Sequence, residues 1–291
     1  MDNQGPNLTT TDPLTGSQLS ALIRLLSDDD PEIHKTVRDR LLSHGPSVRN
    51  ALKPCLLDDD PLLRRRAREI IRHFDCNTAD NRFLAFCLKQ GQDFDLEHAL
   101  WILAQTEYPD LNIEAYQAQL DDYARILRER VVMAENALQI LQTINQFLYG
   151  ELGFRGNRQN YYDPDNSYLN KVMDRRSGIP ISLCMIHLFL ARRLRLPVSG
   201  VGLPGHFVCR FQNSTEEYYI DCFNRGRILS KGDCMRYLIS ANFDLEDNHL
   251  TPLNARRILM RACGNLHRIY YHLKRNEEIT RFQRYLVALA R

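Results

Sequence analysis

The sequence predicts an α+β fold that is mostly helical, with a small antiparallel sheet packed on one central helix and helical units on both sides. Three observations predict it. Apolar residues recur at helical spacing through most of the chain up to Leu194 and again from Ala255. β-like character is confined to three short runs after Pro197, namely Val198 to Val201, Phe207 to Phe211 and Glu217 to Ile220, separated by Gly, Pro and Asn-Ser turns. A chain of 291 residues can also bury a substantial core and hold two or three structural units.

Residues 1–16 are rich in Asn, Thr, Pro and Gly without an apolar period, so a disordered tail is expected there. Residues 17–92 contain an internal repeat. Leu25-Leu26-Ser27-Asp28-Asp29-Asp30-Pro31 returns as Leu56-Leu57-Asp58-Asp59-Asp60-Pro61. Each copy supplies an Asp N-cap, a Pro at the first helical position and acidic residues that suit the helix dipole. An amphipathic helix follows each, carrying Ile33, Val37 and Leu41 in the first copy and Leu63, Ala67, Ile70 and Ile71 in the second. The pattern looks like a short array of HEAT-like helical hairpins. Arg64, Arg65, Arg66, Arg68 and Arg72 lie in the second helix. They read as a solvated face balanced by the Asp run before it rather than as a nucleic-acid patch, because no aromatic or Gly-rich motif accompanies them.

Residues 93–245 hold the central unit. Leu96 to Leu103 and Ile113 to Phe147 keep a helical period, broken at Tyr108-Pro109-Asp110. Gly178-Ile179-Pro180 starts the central helix, expected from about Ile181 to Leu194, and the three strands follow. Residues 246–291 close the chain with an antiparallel helix pair, Ala255 to Tyr271 and Glu277 to Leu289.

With 38 Lys+Arg against 36 Asp+Glu, no global field points to nucleic acid or to an acidic partner. The N-terminus lacks a basic region followed by an apolar one, and the longest apolar run, Ile179 to Leu190, is interrupted by Ser182 and His187 and is too short to span a bilayer. A cytoplasmic setting without a membrane partner is expected. None of the eight cysteines forms a CxxC pair, and buried, reduced thiols are expected. The nearest approach to a metal pattern, His206, Cys209, Cys222 and Cys234, matches no standard zinc spacing, so neither metal nor cofactor is expected.

The chemistry concentrates between Asn160 and Ser230. A thiol nucleophile needs a Cys at a helix start, where free backbone N–H groups and the dipole stabilise a thiolate. It also needs a His to take the proton and an Asp or Asn to orient that imidazole. His206 and Asp221 fit the last two roles, on consecutive strands that an antiparallel hairpin brings together. Taken singly, His206 also reads as a turn histidine bonded to backbone, and Asp221 as a strand-end cap of the following turn. Strand parity points Cys209 and Cys222 away from the pair, toward the core.

These residues sit in a longer run of motifs: Gly153-Phe154-Arg155-Gly156-Asn157, Asn166-Ser167-Tyr168-Leu169, Arg175-Arg176-Ser177-Gly178-Ile179-Pro180-Ile181-Ser182-Leu183, Pro204-Gly205-His206-Phe207 and Ile220-Asp221-Cys222-Phe223-Asn224. By them the chain resembles the transglutaminase-like superfamily, and within it the SirB-like bacterial proteins of the second core type, over roughly residues 95–245. A related domain occurs in some F-box proteins, and members often continue into TPR-like helices, for which residues 246–291 leave room for about one hairpin. The resemblance implies a papain-like core and a groove at the start of the central helix, formed by Asn166, Ser167, Gly178, Pro180, Ser182 and Gly205 beside His206 and Asp221. Active members carry Gly-x-Cys at that helix start, upstream of a Leu-Pro or Ile-Pro. Counted back from Leu196-Pro197, Pro180 takes the nucleophile's place.

Cys184 lies one turn further along the same face, where backbone N–H groups are already paired and apolar neighbours raise a thiol pKa. Ser182 lies on another face. Three readings stay open. The first is a degenerate transglutaminase-like module that binds a protein or peptide partner without turning it over. The second is an active amide hydrolase or acyl transferase using Cys184 with His206 and Asp221. The third is a helical interaction scaffold. Oligomeric state is not legible.

Overall fold

The computed structural model describes residues 15–243 and 247–291. Contacts divide the chain into two compact units, one reaching to Ala79 and one running from Asp80 to Arg291. The division falls inside a helix, ahead of the 92/93 boundary set from sequence. Of the tail expected over residues 1–16, residues 1–14 lie outside the described residues, while Thr15 caps the first helix and Gly16 begins it.

The first unit contains α1 (Gly16–Leu25), α2 (Pro31–Ser43), α3 (Val48–Leu52) and the beginning of α4 (Pro61–Lys89). The repeated motif does the same job twice. Asp30 accepts from the Glu32 N–H at 2.8 Å, and Asp60 accepts from the Leu62 N–H at 2.8 Å. Asp28 and Asp58 in turn accept from the Asp30 and Asp60 N–H groups, at 2.9 and 3.0 Å. The amphipathic stripes meet in one cluster of Leu26, Val37, Leu41, Leu52, Ala67, Ile70 and Phe74. Each leucine, valine, isoleucine or phenylalanine among them contributes about 1.5–3 kcal/mol relative to exposure. Ile33, expected on the apolar face, is instead exposed. Arg66 departs from the solvated face expected of its neighbours. It is 7 % exposed and donates to the Leu26 and Asp28 carbonyls at 2.7 and 2.5 Å. It thereby satisfies orphan carbonyls at the end of α1.

The second unit adds α5 (Leu96–Gln105), α6 (Ile113–Val131), α7 (Ala137–Asn145), α8 (Leu169–Arg175), α9 (Pro180–Arg193), α10 (Lys231–Ser240), α11 (Ala255–His272) and α12 (Asn276–Ala290). The helical period read from Ile113 to Phe147 is broken at 132–136, where Asn136 caps α7 by accepting from the Gln139 N–H. A π-helical turn then follows over Gln146–Glu151.

The strands are β1 (Arg155–Gly156) and β2 (Ser177–Gly178), a short parallel pair, and β3 (Val198–Val201), β4 (Val208–Gln212), β5 (Glu217–Asp221) and β6 (Arg227–Leu229), an antiparallel sheet in sequence order. Alternation assigns the two sheet faces. Cys209, Phe211 and Ile220 join the main core with α9, whereas Val208 and Tyr219 pack with Cys234 and Leu238 of α10. Because α9 is covered all round, nearly every residue from Pro180 to Ala191 is buried. Two arginines lock the unit, one half-buried and one buried. Arg193 of α9 pairs with Glu97 at 2.6 Å and Asp121 at 2.6 Å. Arg256 of α11 donates to the Ala288 and Leu289 carbonyls at the end of α12 and to Gln90 just past α4.

Candidate site around His206

His206 does not sit on a strand. It follows a turn at Pro204-Gly205, with Gly205 at a φ of 71°, and lies two residues before the start of β4. A positive φ is open to glycine without strain, which is why the turn can be this tight. The turn is held from outside by Tyr237, which donates to the Pro204 carbonyl at 3.0 Å, and by Arg261, which donates to the Leu203 carbonyl and to the His206 carbonyl at 2.7 Å.

His206 Nε2 lies 3.0 Å from Asp221 Oδ1, with both side chains largely buried. The approach is off the N–H axis, so the two are in contact without a well-aligned hydrogen bond. Such misalignment is ordinary for catalytic-type pairs without a ligand. Asp221 ends β5 and also accepts from the Asn224 backbone N–H at 3.1 Å and side-chain amide at 2.7 Å. Burial pulls the Asp221 carboxyl upward, but the close contact with His206 and the bonds from Asn224 outweigh it and hold it below the usual carboxylate range.

A cavity of about 370 Å³ opens at this point, lined by His206, Gly205, Pro180 and Ile181 on one side and Arg261 and Arg268 of α11 on another, with Tyr161 between. Of the groove residues expected from sequence, Pro180 and Gly205 are therefore at the cavity. Asn166, Ser167, Gly178 and Ser182 are not among its walls. Asn166 and Ser182 brace the start of α9 from behind. The Ser182 hydroxyl donates to the Asn166 carbonyl at 2.6 Å and accepts from the Ile179 N–H at 3.1 Å. The Asn166 amide donates to the Asn160 and Tyr161 carbonyls. Gly178 has no room for a side chain, since a Cβ there would lie 2.5 Å from the Ser182 oxygen. Ser167 is half-buried.

Cys184 is fully buried, donates to the Phe207 carbonyl at 3.5 Å and does not reach the cavity. Its sulfur lies within 4.8 Å of those of Cys209 and Cys222. Of the four residues nearest to a metal spacing in the sequence, Cys209 and Cys222 do come together, but with Cys184, while Cys234 packs in the other cluster. Burial, reinforced by the neighbouring sulfurs, pushes the Cys184 thiol well above its ordinary value.

The α11 residues at the cavity were missed by sequence reasoning. Arg261, Gly264, Asn265 and Arg268 fall at i, i+3, i+4 and i+7, one face of one helix. That spacing was the available signal, hidden because the C-terminal pair was read only for its apolar face.

Residues 114–264 match the family model described as the transglutaminase-like superfamily. The chain belongs to that superfamily. This transglutaminase-like chain is 36% identical over 187 residues to a UPF0162 protein of Xylella fastidiosa strain 9a5c, covering 62% of this chain and 66% of that relative. It is 30% identical over 236 residues to F-box only protein 21 of Homo sapiens, covering 69% of this chain and 36% of that protein. A UPF0162 protein of Vibrio cholerae is 31% identical over 156 residues. The chain thus spans just under two thirds of the first bacterial relative's length and little more than a third of the F-box protein's. No solved structure matches the chain. Among the described residues, no helix is long and apolar enough to cross a membrane.

Proposed function

We propose that this transglutaminase-like chain is a non-catalytic, SirB-like module that holds a peptide or protein segment in the cavity at the start of α9. The observation that carries this reading is the identity of the helix-start residue: His206 shares the cavity with the ring of Pro180, which offers no nucleophile, while Cys184 is sealed in the core. A thiol with raised pKa, without access to the cavity, is neither charged nor reachable at neutral pH. The His206–Asp221 pair then serves as a polar anchor at the cavity wall. In the same reading, residues 17–92 are a HEAT-like repeat pair and residues 246–291 a TPR-like hairpin, both suited to a protein partner in the cytoplasm. Recurrence of the matched stretch within the longer F-box only proteins accords with a portable module.

The test is chemical. Incubation of the folded protein with iodoacetamide at neutral pH, followed by peptide mass spectrometry, is expected to leave Cys184 unmodified until the protein is unfolded. Rapid labelling of Cys184 in the native state, together with an amidase or acyl-transfer activity lost in His206→Ala, would establish instead the hydrolase or transferase that uses Cys184, His206 and Asp221.

A further inference from the structure

The wall contributed by α11 is cationic and uncompensated. Arg261 is partly buried, with its guanidinium over the Phe207 ring and donating to the Leu203 and His206 carbonyls. Arg268 faces the same cavity two turns along. Among the described residues neither arginine is paired with a carboxylate, and no Asp or Glu lines the cavity. The carboxylate of Asp221, behind His206, is already taken by His206 and Asn224. Burial pushes the Arg261 pKa down, and the neighbouring Arg268 acts in the same direction. A desolvated cation without a counter-charge is costly, and an anionic ligand relieves that cost. The start of α9, whose N-cap Ile179 has no acceptor, adds positive potential at the opposite wall.

Between the two arginines stands Gly264. A Cβ there would meet no atom within 4 Å. Glycine inside a helix costs about 1 kcal/mol relative to alanine, and here no packing neighbour requires it. The bare backbone leaves the space between Arg261 and Arg268 open.

We infer that the cavity selects an acidic peptide, receiving a carboxylate between Arg261 and Arg268 beside Gly264. This deepens the proposed binding function and rests on it. The selection is local, since the whole chain carries a formal charge of only +2.

The experiment uses the full chain on an array of short peptides of randomised sequence. Bound peptides are then resynthesised with each Asp or Glu replaced by Asn or Gln, and affinities are read by fluorescence anisotropy. Enrichment of acidic residues is expected, with the neutral counterparts binding about tenfold weaker or more, as a charge-assisted hydrogen bond implies. Arg268→Glu, at an exposed position, should abolish the preference for acidic peptides without unfolding the protein. Gly264→Ala should raise the melting temperature yet weaken binding, a combination that a merely structural glycine would not give. If neutral peptides bind as tightly, or Arg268→Glu leaves acidic peptides unaffected, charge selection is wrong and the binding function stands. If no peptide of any charge is retained, both fall.

Discussion

Among the described residues three α-helices begin with proline, and they begin in two different ways. At α2 and α4 the residue before the proline is aspartate, and its carboxylate accepts from the N–H two positions on. At α9 the residue before Pro180 is Ile179, whose side chain has no oxygen to offer. The nearest hydroxyl, that of Ser182, is turned back to tie Ile179 and Asn166 together. The first two helix starts are closed by their own sequence. The third is built from residues distant in the chain, and the face of its first turn is given over to a cavity. Local capping rules are obeyed where the structure only has to hold, and set aside where a helix end meets a site.

Removing the braces should separate the two kinds of start. Ser182→Ala deletes a buried hydroxyl that serves the Asn166 carbonyl, the Ile179 carbonyl and the Ile179 N–H. Loss of about 2–3 kcal/mol is expected in urea denaturation, because the abandoned groups stay buried. Asp30→Ala and Asp60→Ala should each cost about 1 kcal/mol, the ordinary worth of an N-cap. Asp60→Ala should be the costlier of the two, since the Asp60 carboxylate also bonds the Ser27 side chain. A Ser182→Ala loss no larger than a cap's would collapse the distinction.

The same contrast explains what the sequence disclosed. The Asp-Pro starts, the helix at Pro180 and the three strands were legible because each depends on neighbours in sequence: a cap, a proline, a period of two. The nearness of His206 and Asp221 followed from hairpin geometry, although His206 lies in the turn before β4 rather than on it. Arg66 was read as solvated because its carbonyl partners lie on another helix. Arg261 and Arg268 escaped notice for the same reason, since their role exists only where α11 meets the Gly205 turn. Asn166 and Ser182 were placed in the groove by resemblance, and the structure puts them behind its wall, where they hold Pro180 at the cavity.

The last contrast is between the cap carboxylates and Asp221, and pH reads it. Asp60 is held below its usual pKa chiefly by the Leu62 N–H, and Asp221 by His206 and Asn224 against the opposing pull of burial. For a carboxyl whose folded pKa is depressed, the unfolded chain binds more protons as pH falls. Its contribution is therefore complete above the unfolded value of about 4 and is lost as pH drops through the lower folded value. Both residues should make stability fall on acidification below about pH 4. The source differs. Asp60→Asn should remove its share of the slope and keep a working cap, since Asn caps nearly as well as Asp. Asp221→Asn should remove its share of the slope and also lower stability at pH 7, because the bonds accepted from the Asn224 backbone and side-chain N–H groups lose their charge assistance. Equal stability of Asp221→Asn and wild type at pH 7 would mean that the carboxylate charge adds nothing to the bonds from Asn224, and Asp221 would then be a cap of the same kind as Asp60.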